Sequence, residues 1–138
     1  MGIDTGADKR YRITENKEVI FEDFYDDIEG VHFKYPNGEF VELAETLKEL
    51  TKNDIDVRKY LIWDELLDYD NPDYTHIIKQ LKEFTFEEAL AEGTKARAYI
   101  ENNYELVKKH YIYRFDPLEV LNYLIEVWEK GYYVNYSH

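Results

Sequence analysis

The side chains in this sequence that could do chemistry are carboxylates, four histidines and one serine. His32, His76, His110 and His138 lie far apart, and none belongs to an HExxH pair or its equivalent. The single serine, Ser137, sits in no GxSxG turn, so no activated nucleophile is evident. Cysteine is absent, which removes thiolate metal sites, CxxC redox pairs, disulfides and cysteine nucleophiles together. Neither GxGxxG nor a Walker-type phosphate loop occurs. The carboxylates remain.

They are gathered in windows almost free of bases. Residues 15–29 hold Glu15, Glu18, Glu22, Asp23, Asp26, Asp27 and Glu29 against Lys17 alone. Residues 64–73 hold Asp64, Glu65, Asp68, Asp70 and Asp73 against none. Residues 83–92 add Glu83, Glu87, Glu88 and Glu92, whereas residues 101–138 nearly balance acids with bases. A calcium loop starting at Asp68 would need glycine at its sixth position, where Asp73 stands. Two acids could form a hydrolytic pair, but in so acidic a chain any two are uninformative. Lys108, Lys109 and His110 read as cations complementing a helix C-terminus rather than as a nucleic-acid contact. The expectation is a protein that is not an enzyme and holds no cofactor or metal.

The elements that must carry these acids are those of an α+β chain. Residues 1–9 are small and polar and read as a flexible N-terminus, followed by a single domain over 10–138. Tyr11–Thr14 and Lys17–Phe24 read as strands across a turn at Glu15-Asn16. Val31, Phe33 and Tyr35 alternate with His32 and Lys34 as a third strand, and Pro36-Asn37-Gly38 turns into a fourth at Glu39–Leu43. The N-terminal part, about residues 10–43, is thus predicted as an antiparallel β-meander, and four to five packed α-helices follow over about 44–131.

Of these helices, one is predicted from Asn53 or Asp54 to about Tyr69, and one begins after the cap Asn71-Pro72. Thr85 and Glu88 form a capping box for a short helix that Gly93 stops. The last helix has Asp116 as cap, Pro117 in its first turn, Glu119 completing the box and Gly131 at its end. The tail Tyr132–Tyr136 offers an edge strand that could pair with a second copy, so a homodimer is a possible assembly.

Charge gives the sign of the partner. The chain has 138 residues, with 30 acids against 17 bases and a net charge of −13. Such a surface repels nucleic acid and anionic membranes and speeds encounter with basic proteins. Aromatic content of 17%, driven by 14 tyrosines, argues for a packed core rather than an acidic disordered chain. A small domain stays soluble with a net charge of about 2–8, so the excess is either tolerated drift or selected for binding. Carboxylates spaced about 5–6 Å apart along an element can imitate a phosphate track, and tyrosines among them add apolar contact area. In composition the chain resembles the acidic inhibitors that phages and mobile elements direct against restriction or CRISPR nucleases. It is similar in the same way to immunity proteins that neutralise basic toxin nucleases. No motif aligns with either group.

The expected function is therefore that of a nucleic-acid mimic, an acidic inhibitor of phage or mobile-element origin acting in the cytoplasm of a bacterial host. It would occupy the basic groove of a nucleic-acid-binding protein, with no direct nucleic-acid or membrane contact. Its expected contact set is Glu22, Asp23, Tyr25, Asp26, Asp27, Asp64, Glu65, Asp68, Tyr69, Asp70, Asp73 and Tyr74. An immunity protein for a cognate toxin is one alternative, and a small binding domain or enzyme is another.

Overall fold

The computed structural model describes residues 4–25, 38–66, 68, 70–111 and 115–137. Strands β1 (Asp4–Ile13) and β2 (Val19–Phe24) form an antiparallel hairpin. Its turn lies where predicted, with Lys17 N–H donating to the Thr14 carbonyl at 2.9 Å and Thr14 Oγ1 accepting from Glu18 N–H at 3.1 Å. Then come α1 (Glu39–Leu50), a single 3₁₀ turn at Val57–Tyr60, β3 (Ile62–Trp63), α2 (Thr75–Glu83), α3 (Phe86–Asn102), α4 (Tyr104–His110), α5 (Pro117–Glu129) and β4 (Tyr133–Ser137). The sheet order is β2-β1-β4-β3, with β3 parallel to β4 and the other neighbours antiparallel. The class is α+β, as the sequence predicts.

Several expectations are corrected. Residues 4–9 are not a flexible terminus: they are the half of β1 that pairs with β4, from Asp4↔Ser137 to Asp8↔Tyr133. The β4 segment is consequently an inner strand, bonded on both sides, and offers no edge to a second copy. Glu39–Leu43 is helical rather than extended. Gly38, at φ 82°, turns the chain, and Phe40, Leu43, Ala44 and Leu47 then fall on one buried helical face. The helix predicted over 53–69 is absent from its described part, because Ile62 and Trp63 pair with Asn135 and Tyr136 of β4. The strand and turn predicted at 31–37 lie outside the described residues.

The short strand β3 would present a bare edge. Gln80 of α2 covers it: its Oε1 accepts from Trp63 N–H and its Nε2 donates to the Trp63 carbonyl, both at 2.9 Å. A side-chain amide thus replaces a neighbouring strand.

The helical caps are local, and two of them form as read. Thr85 Oγ1 accepts from Glu88 N–H at 3.1 Å, and Asp116 Oδ2 accepts from Glu119 N–H at 3.3 Å with Pro117 at the first helical position. Asn71 is not the cap of α2; Asp73 Oδ1 instead accepts from Thr75 N–H at 2.9 Å. Gly93 does not stop a helix. It lies inside α3 where α5 comes close, and a Cβ there would meet Ile125 Cγ1 at 3.0 Å. Ala89, Gly93, Ala96 and Ile100 give α3 a narrow apolar face against Leu121, Ile125 and Trp128 of α5.

Strand alternation divides the apolar residues between the two faces of the sheet. Val134 and Tyr136 join the large cluster with α1, α3 and α5, while Tyr133 and Ile62 join a smaller one with Ile77 and Leu81 of α2. Ala7 belongs to the first cluster and Tyr11, of the same parity, to the second. Between them the hairpin register is interrupted at Asp23, whose φ of 61° is left-handed. Val19 and Phe21 of β2 share the smaller cluster with Ile77 and Leu81 of α2, so the two acidic windows lie near each other.

Candidate functional site

The turn at 15–18 and the connection between β3 and α2 meet at the start of α2. Glu18 and Lys17 from the turn, with Asp73, Tyr74 and Ile78 from the other side, line a depression of about 260 Å³. Beside it runs a groove of about 270 Å³. Val19 and Phe21 of β2, Leu66 and Ile77 form its apolar lining, and Asp64, Glu65, Tyr74 and Ser137 supply its polar groups. Two stretches that the sequence separates are thus neighbours in the fold.

The connection is ordered by its own carboxylates. Asp68 Oδ1 accepts from Asp70 N–H at 3.0 Å, and Asp73 Oδ1 accepts from both the amide and the hydroxyl of Thr75, at 2.9 and 2.5 Å. These bonds hold the Asp73 carboxyl below the usual range, so it stays charged into acid. Asp68, Asp70 and Asp73 are exposed, and none has a Lys or Arg nitrogen within 4.0 Å among the described residues.

Asp64 behaves differently. Its amide donates to the Tyr136 carbonyl at 3.0 Å, which seats it at the end of β3 against β4. Burial, with the nearby charges of Asp8 and Glu65, pushes its carboxyl up to about 7. Asp8 is also raised by burial, and partly held down by the Asn135 amide, which donates to Asp8 Oδ2 at 2.9 Å. Asp8 and Asn135 escape notice in the sequence. The available signal is Asn135 itself, a polar side chain in the middle of the apolar strand YVNYS, which needs a partner once buried.

Of the remaining expected contact residues, Glu22 is half-buried and Asp23 exposed, and both are paired, Arg12 Nε lying 3.5 Å from Glu22 Oε1 and Arg10 Nε 2.6 Å from Asp23 Oδ2. Their charge is locally balanced. Tyr25 is only 7% exposed, and its ring packs edge-on against Tyr123 and Tyr132; it is a core residue and cannot supply contact area. Glu65 is half-buried, with its carbonyl accepting from His76 Nε2 at 2.9 Å. Tyr74 is half-buried against the α2 cluster. Asp26, Asp27 and Tyr69 lie outside the described residues.

Chemically, the arrangement presents three exposed aspartates, of which Asp68 and Asp73 are held by hydrogen bonds, and a fourth carboxyl, Asp64, raised by burial. Among the described residues no three His, Asp or Glu side chains converge to hold a metal ion. No described helix is long and apolar enough to cross a membrane. No protein-family model, curated protein or solved structure matches the chain.

Proposed function

We propose that the protein is a non-catalytic inhibitor whose acidic edge occupies the basic groove of a nucleic-acid-binding enzyme, such as a restriction or CRISPR nuclease. The observation that carries this reading is the exposed row Asp68, Asp70 and Asp73, with the Asp68 and Asp73 carboxylates held by Asx-type hydrogen bonds and no cation partner among the described residues. Preorganised anions lose little entropy on meeting a cationic groove, and they accelerate the encounter. The fold narrows the contact set. Glu22 and Asp23 contribute little because Arg12 and Arg10 oppose them, and the adjoining depression and groove provide the apolar relief that charge alone lacks.

The test is capture from a bacterial lysate at low and at high salt, followed by DNA-binding assays on the enzyme retained. The expected result is a nucleic-acid-binding enzyme that loses its DNA when the protein is added. Replacing Asp68, Asp70 and Asp73 together by lysine should restore DNA binding. Capture that is indifferent to salt and to these replacements would discard the reading. A toxin nuclease as the captured enzyme would make the protein an immunity factor acting through the same surface.

A further inference from the structure

We infer that the groove between β2 and the β3–α2 connection is a socket for one long basic side chain of the partner, arginine fitting best, with Asp64 as its half-buried carboxylate. The inference rests on the inhibitor reading only for the partner's identity; the chemistry of the socket stands by itself. A basic side chain has two parts with opposite needs: an apolar stem and a charged head. Val19, Leu66 and Ile77 line the groove for the stem, and Phe21 and Tyr74 offer aromatic surface on which a planar guanidinium can lie. Asp64 supplies the carboxylate for the head, and no basic side chain is among the described residues that line the groove. The exposed row Asp68, Asp70 and Asp73 continues the same negative field along the chain.

The charges around Asp64 give the socket a signature that surface attraction lacks. Asp8 of β1 and Glu65 both act on it with negative charge, Asn135 of β4 neutralises neither, and His76 of α2 is engaged with the Glu65 carbonyl. Burial first, and these charges second, push the carboxyl up to about 7. A guanidinium entering the groove favours the ionised form, so binding expels a proton. The socket should tighten as pH rises.

The experiment titrates isotope-labelled protein with nona-arginine and, separately, with its neutral analogue nona-citrulline, following amide shifts and the Asp64 side-chain carbon by NMR. Nona-arginine is expected to move the Leu66, Tyr74 and Ile77 amides and to lower the Asp64 midpoint by one pH unit or more. By linkage, a one-unit drop strengthens binding by about fivefold or more between pH 5.5 and 8. Nona-citrulline should do neither. Asp64→Asn keeps the side-chain shape, removes the titrating group and should flatten the pH dependence of nona-arginine binding seen in wild type while leaving weak contact at Asp68–Asp73. The socket is refuted if the Asp64 midpoint does not move, or if wild type and Asp64→Asn show the same pH dependence. Failure here with salt-sensitive enzyme capture intact would leave the inhibitor reading standing. Success here with no nucleic-acid-binding enzyme captured would remove that reading and keep the socket.

Discussion

Asn135 of β4 donates its side-chain amide to Asp8 Oδ2 of β1 at 2.9 Å, a bond made across 127 residues of sequence. It partly offsets the burial of Asp8, but among the described residues no comparable side-chain donor serves Asp64, whose carboxyl is lowered there by its own backbone alone. Stability should therefore fall as pH rises. Below about pH 4 the Asp64 carboxyl is protonated whether or not the chain is folded. Between 3.8 and about 7 the unfolded chain gives up this proton and the folded chain keeps it, and above that range the penalty is complete. At 1.36 kcal/mol per pH unit, the cost is on the order of 2–4 kcal/mol, the lower value allowing for solvent at the carboxyl. Urea denaturation of wild type and Asp64→Asn at pH 4.5, 6 and 8 should show the variant gaining steadily on wild type. A pH-independent gap would contradict this.

The two capping residues should differ in worth. Thr85 serves the start of α3 alone, and Thr85→Ala should cost about 1 kcal/mol. Asp116 caps α5 and also accepts a hydrogen bond from the Tyr104 hydroxyl of α4. Asp116→Ala should cost roughly twice as much, and Tyr104→Phe alone, which deletes the same hydrogen bond, should cost about the difference between the two. Thermal melts of the three variants decide it.

At Gly93 the close approach of α3 to α5 leaves no space for a branched side chain. A Cβ would lie 3.0 Å from Ile125 Cγ1 and 3.5 Å from Trp128 Cζ3. Gly93→Val should destabilise by about 1–3 kcal/mol through overpacking, in spite of glycine's poor helix propensity. Combining it with Ile125→Ala should recover stability, which a double-mutant cycle in urea would register.

Tyr111 donates its hydroxyl to Glu39 in the core, at a separation of 72 residues. Glu39 is 6% exposed, in the first turn of α1. Tyr111→Phe removes that donor and should cost about 1–3 kcal/mol. Glu39→Gln, which keeps an acceptor and sheds the charge, should cost less than half as much in the same denaturation assay.

Association with a basic partner should be governed by ionic strength through its rate of formation. Raising salt from 0.05 to 0.5 M should slow binding by tenfold or more, with a much smaller change in dissociation. Stopped-flow measurement on any captured enzyme would separate the two, and a change confined to dissociation would argue against an acidic encounter surface.

Local signals in the sequence survive folding intact, and distant ones do not. The cap and proline at Asp116-Pro117, the Thr85 cap of the box and the turn at Glu15-Asn16 involve residues within a few positions of each other and form as read, although Glu88 accepts from the Thr85 hydroxyl rather than from its amide. Ile55, Ile62, Trp63 and Leu66 mimic a helical stripe because Ile62 and Trp63 owe their apolar character to a strand more than 70 residues away. The polar run at 4–9 looks loose because its ordering comes from backbone pairing, to which side-chain types give little clue. The same limit applies to the surface. The acidic windows are plain in the sequence, but the pairing of Glu22 and Asp23 with arginines, the burial of Tyr25 and the unusual carboxyl of Asp64 all depend on what folding sets beside them.

The inner strand β4 has a consequence for how the chain is made. Its residues, 133–137, are translated after every helix, yet they bridge β1 and β3. Until they emerge from the ribosome, the hairpin has no seat and Ala7 has no cover. Premature termination before Tyr133 would strand two unpaired edges at once, exposing them to neighbouring polypeptides and favouring aggregation over partial function.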